Sequence, residues 1–229
     1  MKRFDFLLLD ADGTLFDFER SEARALEQVF RWAGIEGVER ARTLYMGINR
    51  GLWDAFERGE VTKDQLQGRR FAQLLEALEL QGDGRAMNDR YLDYLAQGND
   101  LIPGALEVCR ALAARCRLEL VTNGISRVQH GRMACSPLKP FFEHIFISED
   151  IGFQKPHPQY FEHCLRTLGS PDPARCLVVG DSLSSDMAGG IAAGLPTCWY
   201  NPKGAARPAD MAMTYEIHAL EELEKIVCV

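Results

Sequence analysis

No stretch of this 229-residue chain approaches the roughly 20 consecutive apolar residues that a membrane-crossing helix needs. The basic opening Met1-Lys2-Arg3 has the charge of a signal peptide, but Asp5 and Asp10 interrupt the apolar run behind it. Positive charge is in short supply too. The 26 Lys and Arg residues are outnumbered by 33 Asp and Glu, and the net charge of −7 argues against a surface for a nucleic acid polymer, whose affinity comes from clustered cations. An anion bound here is expected in a local pocket. The seven cysteines, at positions 109, 116, 135, 164, 176, 198 and 228, are odd in number, and no two are spaced as CxxC. That argues against a disulfide frame or a zinc site and fits reduced, mostly buried thiols in a cytoplasmic protein. The five histidines (130, 144, 157, 163 and 218) show no metal-ligand spacing. Internal repeats and low-complexity tracts are absent. What is present, 46% hydrophobic and 26% charged residues, is the make-up of a globular protein long enough to bury a sizeable core.

One apolar run leads straight into two acids. Residues 6–16 read Phe-Leu-Leu-Leu-Asp-Ala-Asp-Gly-Thr-Leu-Phe. An uninterrupted apolar run, Phe6 to Leu9, ended by acidic residues and Gly13, fits an interior strand of a parallel sheet, with Asp10 and Asp12 delivered to its carboxyl end. In open α/β sheets that edge is where ligands bind.

Helical spacing follows at once. Ala25, Leu26, Val29, Phe30 and Ala33 make one apolar face. Leu44, Tyr45, Ile48, Leu52, Trp53 and Phe56 make a second, and Leu66, Phe71, Leu74, Leu75 and Leu78 a third, with Thr62 as its N-cap. Tyr91, Leu92 and Leu95 mark a fourth. Residues 17–98 contain no convincing strand and are expected to form an all-helical insert. Alternating strands and helices then resume, with strands at 118–121, 144–147, 176–179 and a last one at 196–200, and a final helix marked by Ile217, Leu220, Leu223 and Val227. A helix is expected over 184–193. The fold class expected is α/β: a doubly wound parallel sheet formed by 1–16 and 99–229, carrying a helical domain over 17–98.

Three apolar strands end in polar signatures: Asp10-Ala-Asp12, Thr122-Asn123-Gly124 and Gly180-Asp181. Right-handed crossovers bring all three ends to one sheet edge, and Lys155-Pro156 lies in a loop on the same edge. Acids converging there would repel one another without a cation. Mg²⁺ suits them, because it takes one or two carboxylates and leaves positions for a phosphate oxygen; Asp10 and Asp181 are the expected ligands. A carboxylate is also a competent nucleophile toward phosphorus, and Asp12, two residues on, is placed for proton transfer. Phosphoryl transfer needs positioned charge and donors, which Lys155, the Thr122 hydroxyl and the backbone around Asn123 and Gly124 can supply. Asp186 is expected in the first turn of the next helix, orienting Lys155 or a metal-bound water. Taken singly, each signature has a commonplace explanation: a turn-forming Asp, an Asx turn, a solvated lysine. Their order and context together point to a phosphoryl-transfer site. The Arg-rich pieces 20–24 and 69–70 read as solvated helix faces.

These motifs resemble those of the haloacid dehalogenase superfamily of phosphohydrolases: Asp10-x-Asp12-Gly-Thr after a buried strand, the Thr122 strand end, Lys155-Pro156, and Gly180-Asp181 with Asp186. The resemblance spans the chain and implies that Asp10 is the nucleophile and Asp12 the acid/base. It further implies that Mg²⁺ is held by Asp10, the Asp12 backbone carbonyl and Asp181, and that residues 17–98 are a mobile cap. Several stretches look closer still to the noncanonical pyrimidine nucleotidases, among them Gly47-x-Asn49 with Leu52-Trp53, residues 147–156, and residues 180–191 with 197–202. The expectation is a Mg²⁺-dependent phosphatase of small phosphate monoesters, foremost pyrimidine nucleoside 5′-monophosphates. Its cap would close over substrate and select the leaving group through Asn49, Arg50 and Trp53. No nucleic acid or membrane partner is expected, and monomer and dimer both stay open. The alternatives are a sugar phosphomutase or sugar-phosphate phosphatase of the same superfamily and, from another class, a phospho-aspartate signalling receiver, against which the long helical insert speaks.

Overall fold

The computed structural model describes residues 3–227. Met1, Lys2 and Cys228, which entered the sequence reading, lie outside the described residues. The chain forms two compact units, one from the residues up to Phe18 together with those from Asn99 onward, the other Glu19–Gly98. The first boundary falls two residues later than the sequence suggested. Phe16 still bridges to Leu101, and the Asp17 amide donates to the Asp100 carbonyl, which ties both residues to the sheet-bearing unit.

That unit carries six strands in the order β3-β2-β1-β4-β5-β6, every pair parallel. They are β1 (Phe6–Asp10), β2 (Arg117–Thr122), β3 (Phe142–Ile147), β4 (Cys176–Gly180), β5 (Thr197–Tyr200) and β6 (Tyr215–Ile217). Successive side chains on a strand point to opposite faces, so the apolar β1 run feeds two cores. Leu7 and Leu9 pack with Val108, Cys109 and Leu112 of α5 (Ala105–Ala113) and with Leu223 and Val227 of the final helix (Glu222–Val227). Phe6 and Leu8 pack with Tyr160, Phe161 and Cys164 of the helix Pro158–Thr167 on the other side. Each fully buried Leu or Phe of this kind contributes about 1.5–3 kcal/mol, which is why β1, buried throughout, sits at the centre of the sheet.

The sheet runs one strand beyond the sequence reading, which ended it at Tyr200. Ile217, assigned there to the final helix, pairs with Tyr200 as the end of β6. Three residues are too few for a period to show, and the pairing partner supplies what the local pattern lacks. The helix expected over 184–193 opens instead as a π-helical turn, Leu183–Met187, before continuing as the α-helix Ala188–Ala192. The amides of Asp186 and Met187 both donate to the Ser182 carbonyl at 3.1 Å, and the Ser182 side chain accepts from the Ser185 amide. The short helix Ser148–Ile151 also had no counterpart in the sequence reading.

The second unit contains α1 (Phe18–Trp32, whose first residue belongs to the sheet unit), α2 (Val38–Glu57), α3 (Lys63–Ala77) and α4 (Gly84–Gln97). Thr62 caps α3 in a full capping box with Gln65. The bundle interior holds an aromatic trio, Tyr45, Phe71 and Tyr91, with ring centroids 4.9–5.6 Å apart. Arg70 is not on a solvated face. It is 1% exposed, its Nε donates to Asn88 Oδ1 at 2.7 Å, and its guanidinium lies 4.5 Å from the Tyr91 ring centroid. Glu22, also buried, accepts from Tyr91 Oη–H at 2.8 Å and from Asn49 Nδ2 at 3.1 Å. No helix among the described residues is long and apolar enough to cross a membrane. Cys109, Cys116, Cys164, Cys176 and Cys198 are buried free thiols, and Cys135 is an exposed one.

Candidate active site

The central strand and its two neighbours run parallel, so their carboxyl ends line one edge. Asp10 pairs in register with Val121, one residue before Thr122, and Leu9 with Val179, one residue before Gly180. The chain order turns from β2 on one side of β1 to β4 on the other, which opens a crevice at that edge.

Lys155 is the hub of what gathers there. Its side chain is 1% exposed, and its Nζ donates to Asp10 Oδ1 at 2.6 Å, to Asp186 Oδ1 at 2.6 Å and to the Val121 carbonyl at 3.1 Å. Burial works against its charge, but the two carboxylates outweigh burial and hold the ammonium protonated. Asp10 is 6% exposed. Burial pushes its carboxyl well above the usual range and the negative charge of Asp186 adds to that, while Lys155 pulls the other way. Asp186 sits in the π turn, with its second oxygen accepting from the Ser182 amide at 3.2 Å. Asp181 is exposed and brings a carboxylate oxygen within 4.8 Å of those of Asp10 and Asp186. The Thr14 hydroxyl points at Asp181 Oδ1 from 3.4 Å, and the Trp199 indole donates to the Asp181 carbonyl at 2.9 Å.

One expected donor turns out to be engaged within the chain. The Gly124 amide, put forward for phosphate, donates to Thr122 Oγ1 at 2.9 Å. Thr122 itself is buried, its amide donating to Tyr160 Oη at 2.9 Å, and its hydroxyl proton is left to point elsewhere. Asn123 grips the Lys155 backbone from both sides: its Nδ2 donates to the Lys155 carbonyl at 2.8 Å and its Oδ1 accepts the Lys155 amide at 2.9 Å. Its side chain therefore places the lysine loop against the end of β2.

Asp12 lies just past β1 with both oxygens taken up from the helix α6 (Ser126–Cys135). Gln129 Nε2 donates to Oδ2 at 2.6 Å, and Arg132 Nη1 donates to Oδ1. Neither residue stood out in the sequence, where α6 has few apolar residues. The available signal was their three-residue spacing, which puts both on one helix face immediately after the Thr122 signature. Of the residues put forward for substrate selection, Asn49 is turned into the helical bundle, Arg50 is exposed, and Trp53 is half-buried against Phe56 at 5.6 Å between ring centroids.

The family model for haloacid dehalogenase-like hydrolases matches residues 4–194. The chain belongs to that family. Within it, pyrimidine 5′-nucleotidase YjjG of Escherichia coli is 33% identical, the match covering 99% of each chain. Pyrimidine 5′-nucleotidase PynA of Streptococcus pneumoniae is 34% identical over 96% of this chain and 93% of its own. The crystal structure of HAD-hydrolase YfnB from Bacillus subtilis, solved with bound magnesium, superposes with a TM-score of 0.93 at 40% identity, covering all of both chains. Family membership makes this protein a hydrolase, and it separates the chain from the signalling receivers that share a doubly wound sheet.

Proposed function

We propose that the protein is a Mg²⁺-dependent phosphatase of small phosphate monoesters, acting foremost on pyrimidine nucleoside 5′-monophosphates. The observation that carries the reading is one buried ammonium shared by Asp10 and Asp186 at the carboxyl edge, with Asp181 beside them. Three carboxylates there face a single lysine, a donor set of hard oxygens short of positive charge, which is what Mg²⁺ fits. Gly13 supports the fit: a Cβ on it would come within 2.5 Å of Asp181 Oδ2, so the missing side chain leaves room for that carboxylate. Asp10, the Asp12 backbone carbonyl and Asp181 would hold the ion. Bound there, Mg²⁺ would offset the charge of a phosphate dianion as it meets the carboxylates.

The chain's own residues carry the bond changes. An Asp10 oxygen attacks phosphorus, the bond from phosphorus to the ester oxygen breaks, and Asp12 gives that oxygen its proton. Water then attacks the aspartyl phosphate while Asp12 takes its proton. The bond from phosphorus to Asp10 breaks, inorganic phosphate leaves, and both acids return to their starting state. Lys155 keeps positive charge beside Asp10 throughout, held by Asn123 and Asp186. The helical unit is the proposed cap, and Arg50 and Trp53 are its candidate contacts for the leaving group. The nucleotidase relatives support pyrimidine nucleotides over hexose phosphates.

A phosphate-release panel tests this with UMP, dUMP, dTMP, AMP, GMP and hexose phosphates, run with Mg²⁺, with chelator, and on Asp10→Asn. Pyrimidine monophosphates should turn over fastest, and both chelation and the substitution should abolish turnover. Activity that survives either would sink the mechanism. Faster turnover of hexose phosphates would sink the nucleotide assignment alone.

A further inference from the structure

We infer that Gln129 and Arg132 are positioning residues that aim the Asp12 carboxylate for proton transfer, an inference that rests on the phosphatase reading above. Their geometry on α6 is unusual for a helix that only needs to dock. Arg132 is 0% exposed, yet its Nε and Nη2 have no hydrogen-bond partner among the described residues, so the bond to Asp12 is the one that the buried guanidinium makes there. Its flat faces are covered instead: the guanidinium lies 5.0 Å from the Phe16 ring centroid and 6.0 Å from that of Phe18. Burying a cation on a single carboxylate is costly, and apolar residues of the same volume fill such sites at least as well. Gln129 repeats the pattern. It is 1% exposed, its Oε1 is unpartnered among the described residues, and its Nε2 goes to Asp12.

Room for this arrangement is made by Gly124, because a Cβ there would collide with the Gln129 amide. The third residue of the Thr122 signature thus serves the acid/base. Asp12 is 27% exposed and sits on a loop, where a short side chain has several rotamers open to it. Two donors, one on each oxygen, leave it one orientation, and each oxygen keeps lone-pair capacity for the proton it must carry or collect. Proton transfer by a positioned acid is worth about 10²–10⁴ in rate, and that is the factor misaiming forfeits.

The test uses the dependence on the leaving group. A nucleoside monophosphate or simple alkyl phosphate needs Asp12 to protonate its departing oxygen, whereas p-nitrophenolate leaves without a proton. Rapid mixing of Mg²⁺-loaded wild type, Arg132→Met, Arg132→Lys and Gln129→Leu with p-nitrophenyl phosphate reads the first turnover. Steady-state release reads both ester types. In Arg132→Met and Gln129→Leu the burst of p-nitrophenolate should survive within a few-fold. Steady-state kcat on alkyl esters should fall by about 10²-fold, with a much smaller change in KM, and Arg132→Lys should recover part of the loss. A burst lost in parallel with alkyl turnover, in a protein with a wild-type circular dichroism spectrum, would overturn the inference in favour of a structural role, as would unchanged kcat in both variants. If Arg132→Met does not fold, Gln129→Leu decides by the same two readings. Wild-type protein that releases phosphate from no ester overturns the phosphatase reading itself, a different outcome from a selective loss in the variants.

Discussion

The space that Gly180 leaves by lacking a Cβ is filled by the carboxylate of Asp186. A methyl group there would overlap the acid that holds Lys155 Nζ at 2.6 Å, so the glycine at the end of β4 and the acid in the π turn form one device. Gly180→Ala should therefore displace Asp186 and loosen Lys155. Overpacking of this kind costs about 1–3 kcal/mol, to be read in urea unfolding, and phosphate release should drop with it. Full stability together with full activity would show that Asp186 can move aside harmlessly.

Lys155→Met should be more severe. It removes the one partner that Asp10 and Asp186 share and leaves two carboxylates facing each other in a buried place. Breaking a buried pair from one side costs about 3–5 kcal/mol, measurable by urea unfolding near neutral pH. Asp186→Asn in the same background should restore part of the loss, because it removes one of the two stranded charges.

Mg²⁺ should raise the melting temperature of the wild-type protein. An ion that binds the folded state alone stabilises it by mass action, about 2.7 kcal/mol at a hundredfold excess over its dissociation constant. Thermal unfolding with and without the ion checks this, and Asp181→Asn should shrink the increment. An equal increment in wild type and variant would place the ion elsewhere.

Glu119 supplies a pH test away from the site. Its side chain on β2 is fully buried, with Oε2 accepting the His144 amide at 3.0 Å and lying 3.1 Å from His144 Nδ1, and Oε1 lying 3.6 Å from Arg117 Nε. Burial raises its carboxyl above the ordinary 4.5, while His144 and Arg117 partly oppose the shift. The folded state thus holds this proton more tightly than the unfolded chain does. Stability should fall as pH rises from about 4.5 through the raised value and level off above it. Comparing wild type with Glu119→Gln by urea unfolding from about pH 4 upward isolates the effect: the wild type should lose ground to the variant as pH rises. A gain would mean that the arginine and histidine dominate over burial.

Much of the molecule could be read from local pattern. The apolar run of β1, the helical spacing of α1 to α4, the Thr62 cap and the strand-terminal signatures all act within a few residues, where backbone propensity and periodicity are decisive. Asp10 was named from a strand end, Lys155 from a loop on the same edge and Asp186 from the turn after the next strand end, and the three do meet, because parallel strands with right-handed crossovers leave few other places for those ends to go. The residues missed draw their roles from partners far off in the chain. Arg70 looked like a surface arginine until Tyr91 and Asn88 of another helix enclosed it, and Gln129 and Arg132 showed no role until Asp12, more than a hundred residues earlier in the chain, met them.

From the sequence by itself follow the parallel α/β core, its helical insert, and the identity of the acids, the lysine and the threonine at the carboxyl edge, because these depend on which residue types end which apolar runs. Tertiary structure alone decided how they are held. Asn123 clamps the lysine loop, a π turn aims Asp186, and Gln129 and Arg132 take both oxygens of Asp12. The physical reason is range. A hydrogen bond between side chains more than a hundred residues apart, such as that from Arg132 to Asp12, leaves no periodicity in either segment and exists only once the sheet has brought the two together.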